Sequence, residues 1–301
     1  MALAEVAESA PRSAVDAHAR PSGRAGLRRW AFLGVVPFIA YITIFLLIPT
    51  GELIVNAFRD THGHFTWSNV DQAIHGQNLA AFGFSMQVSA LSAAMGGVLG
   101  FLVANAVLHD GIPRFLRPVL VSFSGVASNF AGVPLAFAYT ATLGTTGLVT
   151  SLIGHVGLHV TPLFLTNLLG LSLVYLYFQF PLMILLVLPS IEGLKKEWRE
   201  AAANLGASSF TFWARVGLPV LAPSLLGMMV LLFGNAFSAY ATAYALGSTG
   251  LVTTTIGLLI NGNLTLNPQL AYALAFGMIV IIAVTVSLYT LLQRRASRWL
   301  G

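Results

Sequence analysis

The side chains able to do chemistry are few, and they stand apart from one another. His62, His64 and His75 form one loose group and His155 and His159 another, and imidazole nitrogens can hold a transition metal. The chain has no cysteine, and no carboxylate or thiol completes a recognisable ligand spacing, so solvated loop histidines are the better reading and no metal site is assigned. Lys195 and Lys196 are the only lysines. The phosphate loop Gly-x-x-x-x-Gly-Lys-Ser/Thr is therefore absent, and no catalytic residue or cofactor site is expected in this chain. A second group consists of polar side chains set in apolar surroundings. Asn235, Ser238 and Thr242 share a helical face with Tyr240 and Tyr244 nearby, and Ser122, Ser128 and Asn129 lie in an earlier stretch. In lipid such groups either bond between helices, with gains averaging ~0.6 kcal/mol in one measured system, or line a path for a polar solute. Asn235 is the first choice for a pore-facing group, with Asn129, Ser238, Tyr240 and Thr242 as further candidates.

The elements that must position these groups are membrane helices. Hydrophobic residues make up 56% of the 301 positions and charged residues 8%, against about 25% charged in an ordinary soluble domain. Apolar runs of about 20 residues recur, the length a helix needs to cross the hydrocarbon layer. They are continuous, not alternating as in a transmembrane barrel. The expected fold is all-α, with six spans at roughly 30–50, 82–107, 119–141, 167–189, 223–245 and 270–292. Residues 1–29, rich in Ala, Ser, Pro and Arg, read as a disordered cytoplasmic tail before a membrane domain over 30–301. The first run is too long for the apolar core of a signal peptide, so it reads as an uncleaved span.

Charge placement tests this topology. With the N-terminus inside, 14 of the 15 Lys and Arg fall on the inner side and only Arg59 outside, which puts both termini in the cytoplasm. The basic balance is thus a topology marker and gives no reason to invoke nucleic acid. Spans two to six contain no Asp, Glu, Lys, Arg or His, and Glu52 sits near the outer end of the first. Ion-coupled carriers commonly place ionisable groups inside the membrane, so a secondary carrier becomes the weaker alternative. In span two Ser85, Ser89, Ser92, Gly96 and Gly100 put small side chains on one face, a pattern suited to close helix packing.

One stretch does not belong in lipid. Between spans four and five, residues 190–222 carry Ile191, Leu194, Trp198, Ala201, Ala202 and Leu205 on one helical face, with Lys195, Lys196, Glu197 and Arg199 on the other. Ser190 is suited to cap this helix and Gly206 to end it in a left-handed turn. Ser208 or Ser209 can then start a second short helix with Phe210, Trp213 and Val216, before Pro219 and Pro223 precede the return to the membrane.

Glu200-Ala201-Ala202, then Gly206, then Val216-Gly217-Leu218-Pro219 resembles the EAA loop of the permeases of ATP-driven, binding-protein-dependent importers. That pattern is Glu-Ala-Ala, three residues, Gly, nine residues, Ile, any residue, Leu-Pro, and this chain departs from it only in Val for Ile. The resemblance implies a type I ABC importer permease fold in a bacterial inner membrane, with the loop docking in a groove of an ATPase subunit. Glu200, Ala201, Ala202, Gly206, Arg215, Leu218 and Pro219 are then the coupling residues. It further implies two ATPase copies that hold ATP and Mg, a second homologous permease and an extracytoplasmic solute-binding protein. The carboxyl-terminal region looks closest to spermidine/putrescine- and aminoethylphosphonate-type permeases, although the spans lack the acidic lining a polyamine would want.

Finally, Leu143–Gly154 and Leu246–Gly257 match at nine of 12 positions, both just outside the membrane after spans three and five. Each suits a Thr-capped start of a short interfacial helix, and the two together suit a paired platform for the binding protein.

Overall fold

The structure is a computed structural model and describes residues 35–108, 113, 115–155, 164–261 and 266–297. The amino-terminal tail, Arg114, His159 and Arg298 lie outside that set. In chain order the helices are α1 (Val35–Ala57), α2 (Ser68–Ala73), α3 (Gly76–Val107), α4 (Leu116–Ala127), α5 (Val133–Leu143), α6 (Leu148–His155) and α7 (Leu168–Glu192). They continue with α8 (Lys196–Asn204), α9 (Ser209–Phe237), α10 (Ala241–Ala245), α11 (Val252–Ile260) and α12 (Pro268–Ser297). Among the described residues the only strand-like pairing is a bridge between Arg59 and Phe65, so the all-α expectation holds. Six helical stretches are long and apolar enough to cross a bilayer. The chain divides after Glu52 into two compact units; the described part of the first belongs to α1, and the second holds the other elements.

Inside the second unit, α3 and α7 run parallel at very short range. Ser85, Ser89, Ser92, Gly96 and Gly100 are all buried, as their spacing predicts. A Cβ at Gly96 would lie 2.7 Å from the Gln179 Cβ, and one at Gly100 2.6 Å from the Met183 Cβ. No side chain fits there, and the small-residue stripe is what lets the two backbones approach. Helix α9 packs antiparallel against this pair. Leu232 in α9 and Tyr175, Ile184 and Val187 in α7 are fully buried at the centre.

Two spans depart from expectation. Residues 119–141 do not form one helix: α4 ends at Ala127, and Gly132, at φ 79°, starts α5 in a new direction. Likewise 223–245 is interrupted, with α9 ending at Phe237 and α10 beginning at Ala241. Hydropathy is blind to both interruptions because the residues on either side remain apolar.

The described basic residues near span ends collect at one end of the packing. Arg117 at the start of α4 pairs with Glu192 at the end of α7. The Tyr289 hydroxyl donates to the Pro223 carbonyl at 3.3 Å, bringing the Arg294 and Arg295 end of α12 beside the start of α9. Arg59 lies at the opposite end, in a turn where the Asp60 carboxylate accepts the backbone N–H groups of His62 and His64 at 2.9 and 2.8 Å. The His64 N–H is the main cause holding the Asp60 carboxyl below its usual range; desolvation opposes it and the His62 N–H adds to it. Local contacts also occupy the His75 and His155 rings, whose Nδ1 atoms each lie 2.7 Å from a backbone oxygen one turn back.

Candidate coupling loop and translocation path

The loop at the basic end has the helix, corner, helix shape read from its sequence. Helix α8 closes in a left-handed turn at Gly206, φ 78°. Gly206 N–H donates to the Ala203 carbonyl and Ala207 N–H to the Ala202 carbonyl, both at 2.9 Å, the paired bonds that satisfy a helix end before a sharp change of direction. Ser208 caps the next helix by accepting the Thr211 N–H at 3.2 Å. Beyond it the chain does not pause, because a wide π turn at Trp213–Gly217 carries the helix straight into the membrane-spanning part of α9. Pro219 therefore stands in the first turn of the helical segment after that π turn and Pro223 inside it. Ser190 caps nothing: α7 continues through it to Glu192, and α8 starts after Lys195 without a side-chain cap.

The apolar face of this loop is largely uncovered. Leu205 is 87% and Phe210 82% exposed, and Ala201 is exposed as well. Phe212 instead turns inward, with the Arg199 guanidinium 5.6 Å from its ring, and Trp213 stacks edge-on against Phe101 of α3. Glu200 makes only a 3.8 Å contact with Lys196, an exposed pair of small energetic consequence. Arg215 and Pro219 are exposed, and Leu218 is 40% exposed.

The two interruptions lie together. The Gly132 N–H donates to Thr242 Oγ1 at 2.7 Å, stitching the start of α5 to α10. Thr242 is 2% exposed, so of the proposed path residues it is the joint and not a pore-facing group. Its neighbour Tyr240 is half-buried and stacks on Tyr244 at 5.2 Å. Asn129 is exposed beside the first interruption and donates to the Gly125 carbonyl at 2.9 Å. On α9, Ser224, Leu231 and Asn235, and Ser238 just past its end, recur at steps of seven, four and three and are all exposed. Three polar side chains and one leucine thus lie along one side of an apolar helix.

Physics limits what such a surface can meet. Helix α4 is 12 residues long, about 18 Å at 1.5 Å per residue, so the interruption after it falls within the ~30 Å hydrocarbon thickness. Residues 129–131 and 133–134 are exposed there. Irregular backbone at that depth is tolerated only where protein covers it or water reaches it. The exposed backbone beside Asn129 is accordingly protein-covered or water-lined. At the end opposite the loop, a cavity of about 700 Å³ opens among Gln77, Asn78, Phe84, Thr249 and Thr255.

Sequence reasoning passed over Gln179, which lies at the middle of α7 with no exposed surface. Its Nε2 donates to the Leu232 carbonyl at 2.6 Å, and its Oε1 accepts from Asn235 Nδ2 at 3.2 Å. An amide in the middle of the apolar run 167–189 was the available signal.

Six apolar helices, two of them interrupted where they meet, and a water-facing corner at the basic end define a polytopic transport permease. The family described as binding-protein-dependent transport system inner membrane component matches residues 22–298, and the chain belongs to it. It is thus the permease subunit of an ABC importer, a family whose ATPase resides in a separate subunit. Among curated relatives, the molybdenum transport system permease protein ModB of Mycobacterium tuberculosis is 27% identical over 267 residues, covering 86% of this chain and 92% of that one. A probable sulfate transport system permease protein of Nephroselmis olivacea is 24% identical over 206 residues, 68% of each chain. Among solved structures, a bacterial ABC transporter involved in import of the acidic polysaccharide alginate has a TM-score of 0.71 at 20% identity over 90% of this chain and 98% of that one. The MetNI methionine transporter in an inward-facing conformation has a TM-score of 0.57 at 15% identity, over 72% and 95%. Both likenesses bear out the type I importer fold.

Proposed function

We propose that this permease passes a small tetrahedral oxyanion of the sulfate, molybdate or phosphonate kind into the cytoplasm, driven by an ATPase docked on the Gly206 corner. The corner carries the proposal. Leu205 and Phe210, on either side of the corner, are large apolar side chains left almost wholly exposed, with the small Ala201 one turn before, and such exposure calls for a partner. Glu200 and Arg215 supply charges beside it, while Gly206, Leu218 and Pro219 fix the angle at which its movement enters α9. The positive-inside bias supports placing this end and both termini in the cytoplasm.

The proposed assembly has two ATPase copies that bind ATP and Mg, a second homologous permease covering the interruption at residues 128–134, and a solute-binding protein at the outer face. ATP binding opens the path outward and hydrolysis resets it inward. Asn129, Asn235 and Ser238 line that path, with Tyr240 at its rim. Neutral amides and hydroxyls of this kind can donate hydrogen bonds to an anion. Beyond Glu52 in the first, the described spans hold no carboxylate between their ends, which weighs against a polyamine, and the sulfate and molybdenum relatives favour the anion.

Co-purification from detergent-solubilised membranes tests the coupling site. Glu200→Lys and Gly206→Asp are each expected to reduce recovered ATPase about tenfold or more, a loss of at least ~1.4 kcal/mol. Full retention by both variants sinks the proposal. Uptake of labelled sulfate and molybdate against putrescine in ATP-loaded vesicles tests the solute, and uptake of putrescine alone replaces the anion by a polyamine.

A further inference from the structure

Resting on the coupling reading above, we propose that Gln179 and Tyr175 are positioning residues that transmit the movement of the Gly206 corner to the interruption in span five. Helix α7 is a continuous helix with the corner at one end; it runs 25 residues from Leu168 to Glu192, and α8 follows within four residues. At 1.5 Å per residue it is about 37 Å long, enough to cross the membrane. Besides the corner itself, α7 acts on α9 through contacts along its side.

Most of those contacts are apolar and can slide. Three are not. Gln179 donates to the Leu232 carbonyl at 2.6 Å and accepts from Asn235 Nδ2 at 3.2 Å. One turn away, the Tyr175 hydroxyl donates to the Ala239 carbonyl at 3.2 Å. Ala239 is the middle residue of the interruption, and the same carbonyl accepts from Thr253 Oγ1 of α11 at 3.2 Å. Gln179 and Tyr175 have no exposed surface. Water does not reach these two side chains, so the ladder either moves as a unit or strands a buried polar group on α7.

The rod is also fixed from behind. A Cβ on Gly96 would come within 2.7 Å of the Gln179 Cβ, so α3 presses directly on the residue that holds α9. A displacement of α7 thereby reaches Leu232, Asn235 and Ala239 together, and through Ala239 reaches Thr253 of the outer helix. The fold holds the exposed Asn235 and Ser238 next to a joint that the corner can drive.

The absence of cysteine from the chain makes a clean test possible. Ala241→Cys, exposed just past the interruption, is introduced into the assembled permease and ATPase complex, and its rate of reaction with a membrane-impermeant maleimide is measured with and without ATP. With wild-type Gln179 and Asn235 the rate is expected to change about tenfold on ATP binding, as for a shift between two states. Gln179→Leu alone removes the donor to the buried Leu232 carbonyl and can lower the melting temperature. Gln179→Leu with Asn235→Leu, both made in a Tyr175→Phe chain, replaces the partners by apolar groups and removes the Tyr175 bond to Ala239 as well, which limits the loss of stability while leaving the whole link cut. The proposal requires this triple variant to bind ATPase normally and melt near wild type, yet to change its labelling less than about twofold on adding ATP. A full ATP-dependent change in the triple variant, or none in the otherwise wild-type chain, overturns it. Loss of ATPase binding only in corner variants, with full transmission in the triple variant, leaves the coupling reading standing and removes this one.

Discussion

Spans three and five are built alike. Each is a helix, an interruption and a shorter helix, followed by nearly the same 12 residues, Leu143–Gly154 in one and Leu246–Gly257 in the other. Their environments are opposite. Leu251, Val252 and Thr254 are 3%, 0% and 0% exposed, whereas Leu148, the counterpart of Leu251, is 67% exposed and Leu152 60%. The second copy is fastened by groups distant in sequence: Ser85 Oγ of α3 accepts the Val252 N–H at 2.9 Å, and Thr253 reaches the Ala239 carbonyl. The expected threonine cap on α11 is thus replaced by a serine from another helix, since Leu251 occupies the cap position without a side-chain bond. Even the turns differ, with Gly247 at φ 76° and its counterpart Gly144 at φ −64°. Near-identical sequence starts a short helix in both places, but the neighbours decide whether that helix belongs to the core or offers a free surface.

Pairs of substitutions at matched positions are the way to break this contrast. The largest effect is expected at Leu251→Ala, about 2–5 kcal/mol of lost stability for a buried leucine. Leu148→Ala should stay within about 0.5 kcal/mol, and thermal unfolding of the two purified variants compares them directly. Equal losses would mean that the two segments are packed alike.

Ser85→Ala comes next. It leaves the Val252 N–H buried without an acceptor, for about 1–3 kcal/mol, and faster hydrogen exchange should be confined to the first turn of α11. At the turns, Gly247→Asn should cost less than Gly247→Ala, because asparagine tolerates the left-handed region while alanine loses about 1–2 kcal/mol there. Gly144 should show no such rescue, since any Cβ would sit 2.3 Å from the Thr140 carbonyl.

The smallest effect sharpens the comparison by its sign. A Cβ at Gly154 meets nothing within 4 Å, so Gly154→Ala should gain about 0.5–1 kcal/mol of helix stability. At Gly257 the added Cβ would lie 2.6 Å from the Tyr240 ring, and alanine there should lose stability or cancel the gain. Melting temperatures moving in the same direction would contradict the assigned environments.

The sequence made legible whatever depends on side-chain type at regular spacing. The count of six apolar stretches (though not the bounds of the third, which runs Val133–His155), the small-residue face from Ser85 to Gly100 and the left-handed corner at Gly206 were visible, because hydropathy, helical period and glycine chemistry are local properties. The interruptions were not. Gly132 and Pro134 punctuate the first, a signal outweighed by the apolar run around it, while Ser238-Ala239-Tyr240 carries no breaker and is held open by Tyr175 and Thr253. The same limit applied to Thr242 and Ser190. A polar residue in a span looks equally suited to a pore or a joint until its partner is known, and a serine near a helix boundary caps only if the preceding helix has ended.

The claim on which the account rests is that the Gly206 corner lies in the cytoplasm and is covered by a separate ATPase. The direct measurement is reaction of Ala203→Cys, exposed on α8, with an impermeant maleimide in intact cells and in inside-out vesicles, with and without the ATPase. The account predicts labelling only in inside-out vesicles and protection when the ATPase is bound. Labelling of intact cells, or labelling that the ATPase leaves unchanged, would contradict it.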